Sequence, residues 1–182
     1  MRTASEPLVT ARLLLRRSVP EDAEAISAYR SDPEVHRYQG WQRTDPESVR
    51  AEILEMAGRE PGEPGWVQFS VIERATGRLI GDVGLCGVAG EPGVVKVGYT
   101  IAPAFQGRGY GTEAMRALVA YAFDVLGAEV VRAYADADNA ASHRVAEKVG
   151  MRLVERFRAV DGGEEWWGVR YELRREERPA AG

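Results

Sequence analysis

The stretch that most limits what this chain can become is Gln106-Gly107-Arg108-Gly109-Tyr110-Gly111-Thr112, set between a strand-like run, Val94 to Ala102, and a strongly periodic helix. Three glycines on alternate positions remove the Cβ atoms that would hold an anion away from the backbone. The helix start adds unpaired N–H groups and the positive end of a dipole, so the turn reads as a cradle for a phosphorylated cofactor. Spacing narrows the choice. A dinucleotide fingerprint needs G-x-G-x-x-G, but here the third glycine arrives one residue early and Thr112 stands in its place. A P-loop needs Gly-Lys before its hydroxyl residue, and the chain contains no Gly-Lys pair.

The 182 residues, 45% of them hydrophobic, suffice for one well-buried core and are few for two. A single domain over residues 1–182 is expected, with its ordered core over about 8–175. A net charge of −4, with basic residues scattered along the chain, argues against nucleic acid as the main partner. Cys86 is the one cysteine and His36 and His143 the only histidines, so neither a disulfide framework nor a metal site is expected. Leu13-Leu14-Leu15 is too short for a signal peptide or a membrane span, which points to a cytoplasmic protein with no membrane partner.

Arg12 to Val19 reads as a first strand. Ser18-x-x-Glu21, with Pro20 inside it, has the form of a capping box and starts a helix carrying Ala25, Ile26 and Tyr29, which Asp32-Pro33 stops. Thr44-Asp45-Pro46-Glu47 starts a second helix that runs through Val49, Ile53, Leu54 and Met56 to Gly58. Trp66 to Ile72, Arg78 to Val88 and Val94 to Ala102 read as three antiparallel strands. After the glycine turn, Met115, Leu118, Val119, Ala122, Phe123 and Leu126 share one apolar stripe, capped by Gly127. Val130 to Ala135 then returns as a strand parallel to the one before the turn, because strand, helix and strand make a crossover. Asn139 to Val149 is a shorter helix closed by Gly150, and Met151 to Val160 with Glu165 to Leu173 forms a hairpin about Asp161-Gly162-Gly163. The first few residues and Pro179 to Gly182 read as disordered tails.

Gln106, Gly109 and Gly111 also satisfy Q/R-x-x-G-x-G/A. Further pieces accompany them: Arg30-Ser31-Asp32-Pro33-Glu34-Val35 with Tyr38 and Trp41, Gly98-Tyr99 with Pro103, Thr112-Glu113-Ala114, Asn139-x-x-Ser142, and Glu147-Lys148-Val149-Gly150-Met151. The set, from Leu13 to about Leu173, resembles the GNAT superfamily of N-acetyltransferases, in the branch that includes the N-terminal acetylases of ribosomal proteins. The resemblance implies an α+β fold with a mixed, mostly antiparallel sheet of about seven strands, a central splayed parallel pair and about four helices. It implies acetyl-CoA as cofactor and acetyl transfer to a primary amine by direct attack in a ternary complex. The acceptor is then a protein N-terminus or an amine-bearing small molecule, and a homodimer is compatible with the family.

By the same resemblance, Gln106, Gly107, Arg108, Gly109, Tyr110, Gly111 and Thr112 hold the pyrophosphate, Ile101 pairs with pantetheine and Asn139 reaches CoA. The backbone near Tyr99 faces the acetyl carbonyl, Ser142 lies close to the thioester sulfur, and Tyr38, Trp41 and Trp66, with Trp166 and Trp167, wall the acceptor side. Each position also has a plainer use. Asn139 suits a helix N-cap, Ser142 a polar first-turn residue, the aromatics packing, and Cys86 a small apolar place in the sheet. His143 points about 100° away from Ser142 around the helix and reads as a surface histidine. Gly98 fits either a bulge or a close crossing of backbones.

One position departs from the family pattern. Relatives often carry a glutamate two residues before the glycine of this strand, where it can take the amine proton; here Lys96 stands there and, charged, cannot. The base is left open among Asp82, Tyr99 and a carboxylate from the helical cap. An acceptor of low basicity suits such a site, since an α-amine of pKa about 7.7–8.0 is partly neutral near pH 7 and a lysine amine of about 10.4 is not. The alternative of a different class, motivated by Lys96, is a GNAT module that binds acyl-CoA as a sensor without turnover.

Overall fold

The computed structural model describes residues 6–41, 43–161 and 164–178. In chain order the elements are strands Leu8–Val9 (β1) and Leu13–Arg17 (β2), helices Ala23–Arg30 (α1), Pro33–His36 (α2) and Pro46–Ala57 (α3), and strands Gly65–Glu73 (β3), Leu79–Gly87 (β4) and Val94–Ile101 (β5). Helix Tyr110–Asp124 (α4), strand Val130–Asp136 (β6), helix Ala140–Val149 (α5) and strands Arg152–Asp161 (β7) and Glu164–Arg174 (β8) follow. They build one mixed sheet of 8 strands in the order β1-β2-β3-β4-β5-β6-β8-β7. The β5–β6 pair is parallel and every other pair antiparallel. The strand beyond the expected set is the two-residue β1, and the extra helix is the single turn α2. Asp32-Pro33 therefore does more than stop a helix, because Asp32 Oδ1 accepts from Glu34 N–H at 2.9 Å and Pro33 opens the next turn. Gly162, Gly163 and Pro179 to Gly182, where a turn and a tail were expected, lie outside the described residues, as do residues 1–5.

Strand alternation divides the side chains between two cores. Val83 and Leu85 on β4 join the core under α4, whose Met115, Leu118, Val119, Ala122 and Phe123 are buried as the apolar stripe predicts. Asp82 turns to the opposite face, where α1 and α3 pack Ala23, Ile26, Tyr29, Val49 and Ile53 into a second cluster. The Tyr29 hydroxyl donates a short hydrogen bond to Asp82, and the Arg30 guanidinium stands 3.9 Å away. Burial raises the Asp82 carboxyl above its ordinary range, although Arg30 and Tyr29 both oppose the shift.

The entry to α1 differs from the Ser18 reading. Ser18 Oγ donates across to Ser70 Oγ at 2.9 Å and caps nothing. Instead Asp22, one turn later, accepts from the Val19 N–H at 3.0 Å, from the Ser70 hydroxyl at 2.7 Å, and from Arg16 through two bonds of 2.7 Å each. Burial pushes the Asp22 carboxyl up, but these donors together outweigh it and hold the group below its usual value. A carboxylate with a depressed folded-state pKa contributes stability that is present above its unfolded pKa and lost as pH falls through the folded one. Asp22→Asn is therefore expected to cost about 1–3 kcal/mol in urea unfolding at neutral pH. The difference from wild type should shrink as pH falls below the ordinary carboxylate range; a gap that stayed constant there would assign the loss to packing.

Candidate functional site

The site begins where a ladder ends. The β5–β6 register runs Val94↔Val130, Val95↔Val131, Lys96↔Arg132 and Val97↔Ala133, and then stops, although β5 continues to Ile101 and β6 to Asp136. The Ala102 N–H donates to Ile80 O at 2.9 Å, on the β4 side. Successive peptide groups of a strand point to opposite edges, so the amides of Ile101 and Tyr99 point the other way, into the opening between the two strands. The Ile101 carbonyl is already engaged by Gln106 Nε2 at 2.8 Å, which ties the glycine turn to the lip of the opening. Gly98 sits in unbroken register with Gly84, so it forms no bulge; Trp66 lies across the pair, 4.0 Å from where a Gly98 Cβ would stand.

The three glycines of the turn do different jobs. Gly107 at φ 74° and Gly109 at φ 81° take left-handed conformations, and Gly109 is the N-cap of α4. A Cβ on Gly111 would stand 2.9 Å from Tyr99 Cε2, so the tyrosine ring by itself keeps this position bare. Arg12 clasps the turn from outside, with its guanidinium donating to Arg108 O at 3.0 Å, pairing with Glu113 at 2.7 Å and covering the Tyr110 ring at 4.4 Å.

A cavity of about 450 Å³ runs from the turn into the opening, lined by Ile101, Gln106, Gly107, Gly109, Tyr110, Gly111 and Thr112 on one side and by Asn139, Ser142, Arg144 and Lys148 of α5 on the other. A smaller one of about 100 Å³ continues it past Tyr99, and both touch Tyr38, Gln39, Asn139 and Ser142. Asn139 caps α5, its Oδ1 accepting from Ser142 N–H at 3.1 Å. Burial raises the pKa of the Tyr99 phenol, with Ser142 and Arg144 opposing, so Tyr99 stays protonated. A wider hollow of about 830 Å³ lies along the outer side of α4 beside β1 and lacks Tyr99 and Ser142.

Some expected residues stand elsewhere. Arg108 lines neither cavity and lies over Phe105 at 5.5 Å, so only its backbone belongs to the turn. Trp41 packs against the second core under Arg30 at 4.4 Å, and Trp66 covers the sheet beside Lys96 at 5.7 Å; neither lines a cavity, whereas Tyr38 lines both. Asp82 is sealed under α1 and reaches neither. His143 is not a free surface group, since its Nε2 lies 3.0 Å from Asp136 O and its ring meets Tyr171 edge-on at 5.7 Å. Cys86 is buried in the sheet as expected. Sequence reasoning missed Arg144 and Lys148, although positions 141, 144, 145 and 148 form one helical stripe that faces the cavity. It also missed Asp136, Thr100 and Gln39, whose Nε2 donates to Thr100 Oγ1 at 3.4 Å and holds the segment after α2 against β5.

Residues 12–152 match the family described as Acetyltransferase (GNAT) domain. The chain belongs to the GNAT acetyltransferase family. It is 31% identical over 145 residues to the uncharacterized N-acetyltransferase YoaA of Bacillus subtilis (strain 168), covering 80% of this chain and 82% of that one. A GNAT-family acetyltransferase from Bacillus anthracis superposes with a TM-score of 0.84 at 27% identity, over 94% of this chain and 99% of that one. A putative ribosomal-protein-serine acetyltransferase from Vibrio cholerae gives 0.78 at 26% identity, over 95% and 99%. The protein is thus an acetyltransferase of the GNAT fold, in a family whose acetyl donor is acetyl-CoA, and a module that binds without turnover finds no support among these relatives. The cradle fits that donor. Left-handed glycines, the first amides of α4 and the Arg144 and Lys148 cations suit a pyrophosphate, and the free strand amides suit pantetheine. Gly109→Ala is expected to cost about 1–2 kcal/mol of stability through strain at a positive φ and to weaken acetyl-CoA binding by about tenfold or more, because it displaces an amide of the cradle. Thermal unfolding and calorimetric titration check the two effects separately.

Proposed function

We propose that the protein transfers the acetyl group of acetyl-CoA to a primary amine by direct attack within a ternary complex, acting as a single domain in the cytoplasm. No described helix is long and apolar enough to cross a membrane. The acceptor in this reading is the α-amine of a protein N-terminus or an amine of a small molecule. The observation that carries the proposal is the ladder that stops at Val97↔Ala133, leaving the Tyr99 and Ile101 amides facing a cavity whose other end is the glycine turn.

When bound there, acetyl-CoA supplies an activated thioester. The amides at the start of α4 and Gly107 to Gly111 hold the pyrophosphate, with Arg144 and Lys148 adding charge. Ile101 N–H orients the pantetheine arm. The Tyr99 N–H is aimed where the acyl oxygen gathers negative charge, a contribution of about 2.7–4 kcal/mol for one donor in comparable sites. Ser142, placed by the Asn139 cap, gives its hydroxyl proton to the departing sulfur and recovers one from solvent. Tyr38 borders the acceptor side. Positioning supplies much of the rate, since the thioester is already activated and the amine is a good nucleophile once neutral.

Thiol release from acetyl-CoA, measured with a panel of N-terminal peptides, polyamines and aminosugars, tests the reading. Turnover on one class names the acceptor, and no turnover on any of them would sink the proposal. Ser142→Ala is expected to lower kcat by about tenfold or more with the KM for acetyl-CoA little changed. An unaltered kcat would remove Ser142 from the proton path.

A further inference from the structure

An attacking amine must lose a proton, and the usual position for its acceptor holds Lys96. We propose that Asp136, at the end of β6, receives that proton; the assignment rests on the acetyl-transfer reading above. Alternation along β6 puts Asp136 on the face of Tyr134 and Arg132, and Arg132 pairs in register with Lys96. Asp136 is therefore on the acceptor side of the sheet. It is also the carboxylate that lines the smaller cavity, in company with Gly98, Tyr99 and Ser142.

The other candidates fall away on geometry. Asp82 is sealed beneath Tyr29 and reaches neither cavity. The Tyr99 phenol is held protonated by burial. Glu34 is exposed on α2 and lines only the larger cavity, the one bordered by the glycine turn.

Asp136 is fixed in place and electrically uncompensated. Its Oδ1 accepts from Asp138 N–H at 2.8 Å and its main-chain oxygen is bonded to His143 Nε2 at 3.0 Å, which sets the carboxylate's direction. Among the described residues no lysine or arginine pairs with it, whereas Arg132 and Arg170 on the same face are both engaged with glutamates. Beside it stands an aromatic wall. Tyr134 meets Phe157 at 6.0 Å and Phe157 meets Trp166 at 5.8 Å, and Phe157 fills the space over Gly168, the residue opposite Asp136. A free carboxylate flanked by ring faces suits an ammonium-bearing acceptor at rest. The ammonium first releases one proton to solvent; the neutral amine nitrogen then bonds to the acyl carbon, the carbon–sulfur bond breaks, and the surplus N–H proton passes to Asp136 Oδ2. The thiolate takes its proton from Ser142. Bonding to the acyl carbon makes the nitrogen strongly acidic, so a carboxylate can accept its proton.

Asp136→Asn is the decisive variant, because the asparagine oxygen still accepts from Asp138 N–H while the charge and the basic site are gone. With the acceptor identified by the thiol-release panel, kcat/KM for the amine is expected to fall by about 10²-fold. Calorimetry should show acetyl-CoA binding unchanged and acceptor binding to the protein–CoA complex weakened by about tenfold. Asp136→Glu should recover part of the rate, and across a series of amines of decreasing basicity the defect should shrink. A loss under about threefold, or a loss of acetyl-CoA affinity that tracks the loss of rate, would overturn the assignment. Absence of turnover by the unaltered protein would instead remove the acetyl-transfer reading, and this proposal with it.

Discussion

The parting of β5 from β6 is the constraint on which the rest of the site depends. A parallel ladder that ends at Val97↔Ala133 while both strands continue leaves peptide groups with no strand to pair with, at an expense of about 1–3 kcal/mol for each that is kept from water. The molecule accepts that expense at one place and limits it there. Gln106 takes the Ile101 carbonyl, the small cavity keeps the opening narrow, and α5 stands across it with Asn139 and Ser142. What is left unpaired includes the Tyr99 and Ile101 N–H donors, which an extended ligand carrying carbonyl groups can use.

Most of the architecture was legible because its signals are periodic and local. The α4 stripe, the three antiparallel strands, the crossover and the Gly150 closure at φ 96° all follow from spacing and from glycine's tolerance of left-handed backbone. The misreadings were of another kind. Ser18 fits a cap by sequence, but Asp22 takes that place because Arg16 and Ser70, which lie on the sheet, fix its carboxylate. Trp41 and Trp66 have the composition of a binding wall, but one was claimed by Arg30 and the other by the bare backbone of Gly84 and Gly98. Long-range partners decided these cases, and no local pattern encodes them.

The glycine turn shows the same division within seven residues. The left-handed backbone that the proposed anion cradle needs was legible from spacing, and Gly107 and Gly109 supply it through their positive φ. Gly111 meets a different demand, made by a tyrosine twelve residues earlier on the neighbouring strand. The motif is thus a composite of a ligand requirement and a packing requirement.

The acceptor side depends on a buried polar lock rather than on its aromatic residues. Asp82 projects from the middle of β4 and is held by Tyr29 and Arg30 of α1, while Arg30 also reaches Glu52 of α3 at 2.9 Å. That lock fixes the end of α1, Asp32 starts α2 directly after it, and α2 delivers Tyr38 and Gln39 over Thr100, the in-register neighbour of Asp82. A charged group committed to anchoring a helix is unavailable for proton transfer, so the sheet separates the two tasks. The carboxylate on β4 builds the wall, and the one on β6, across the opening and paired with no cation among the described residues, is left for the proposed chemistry.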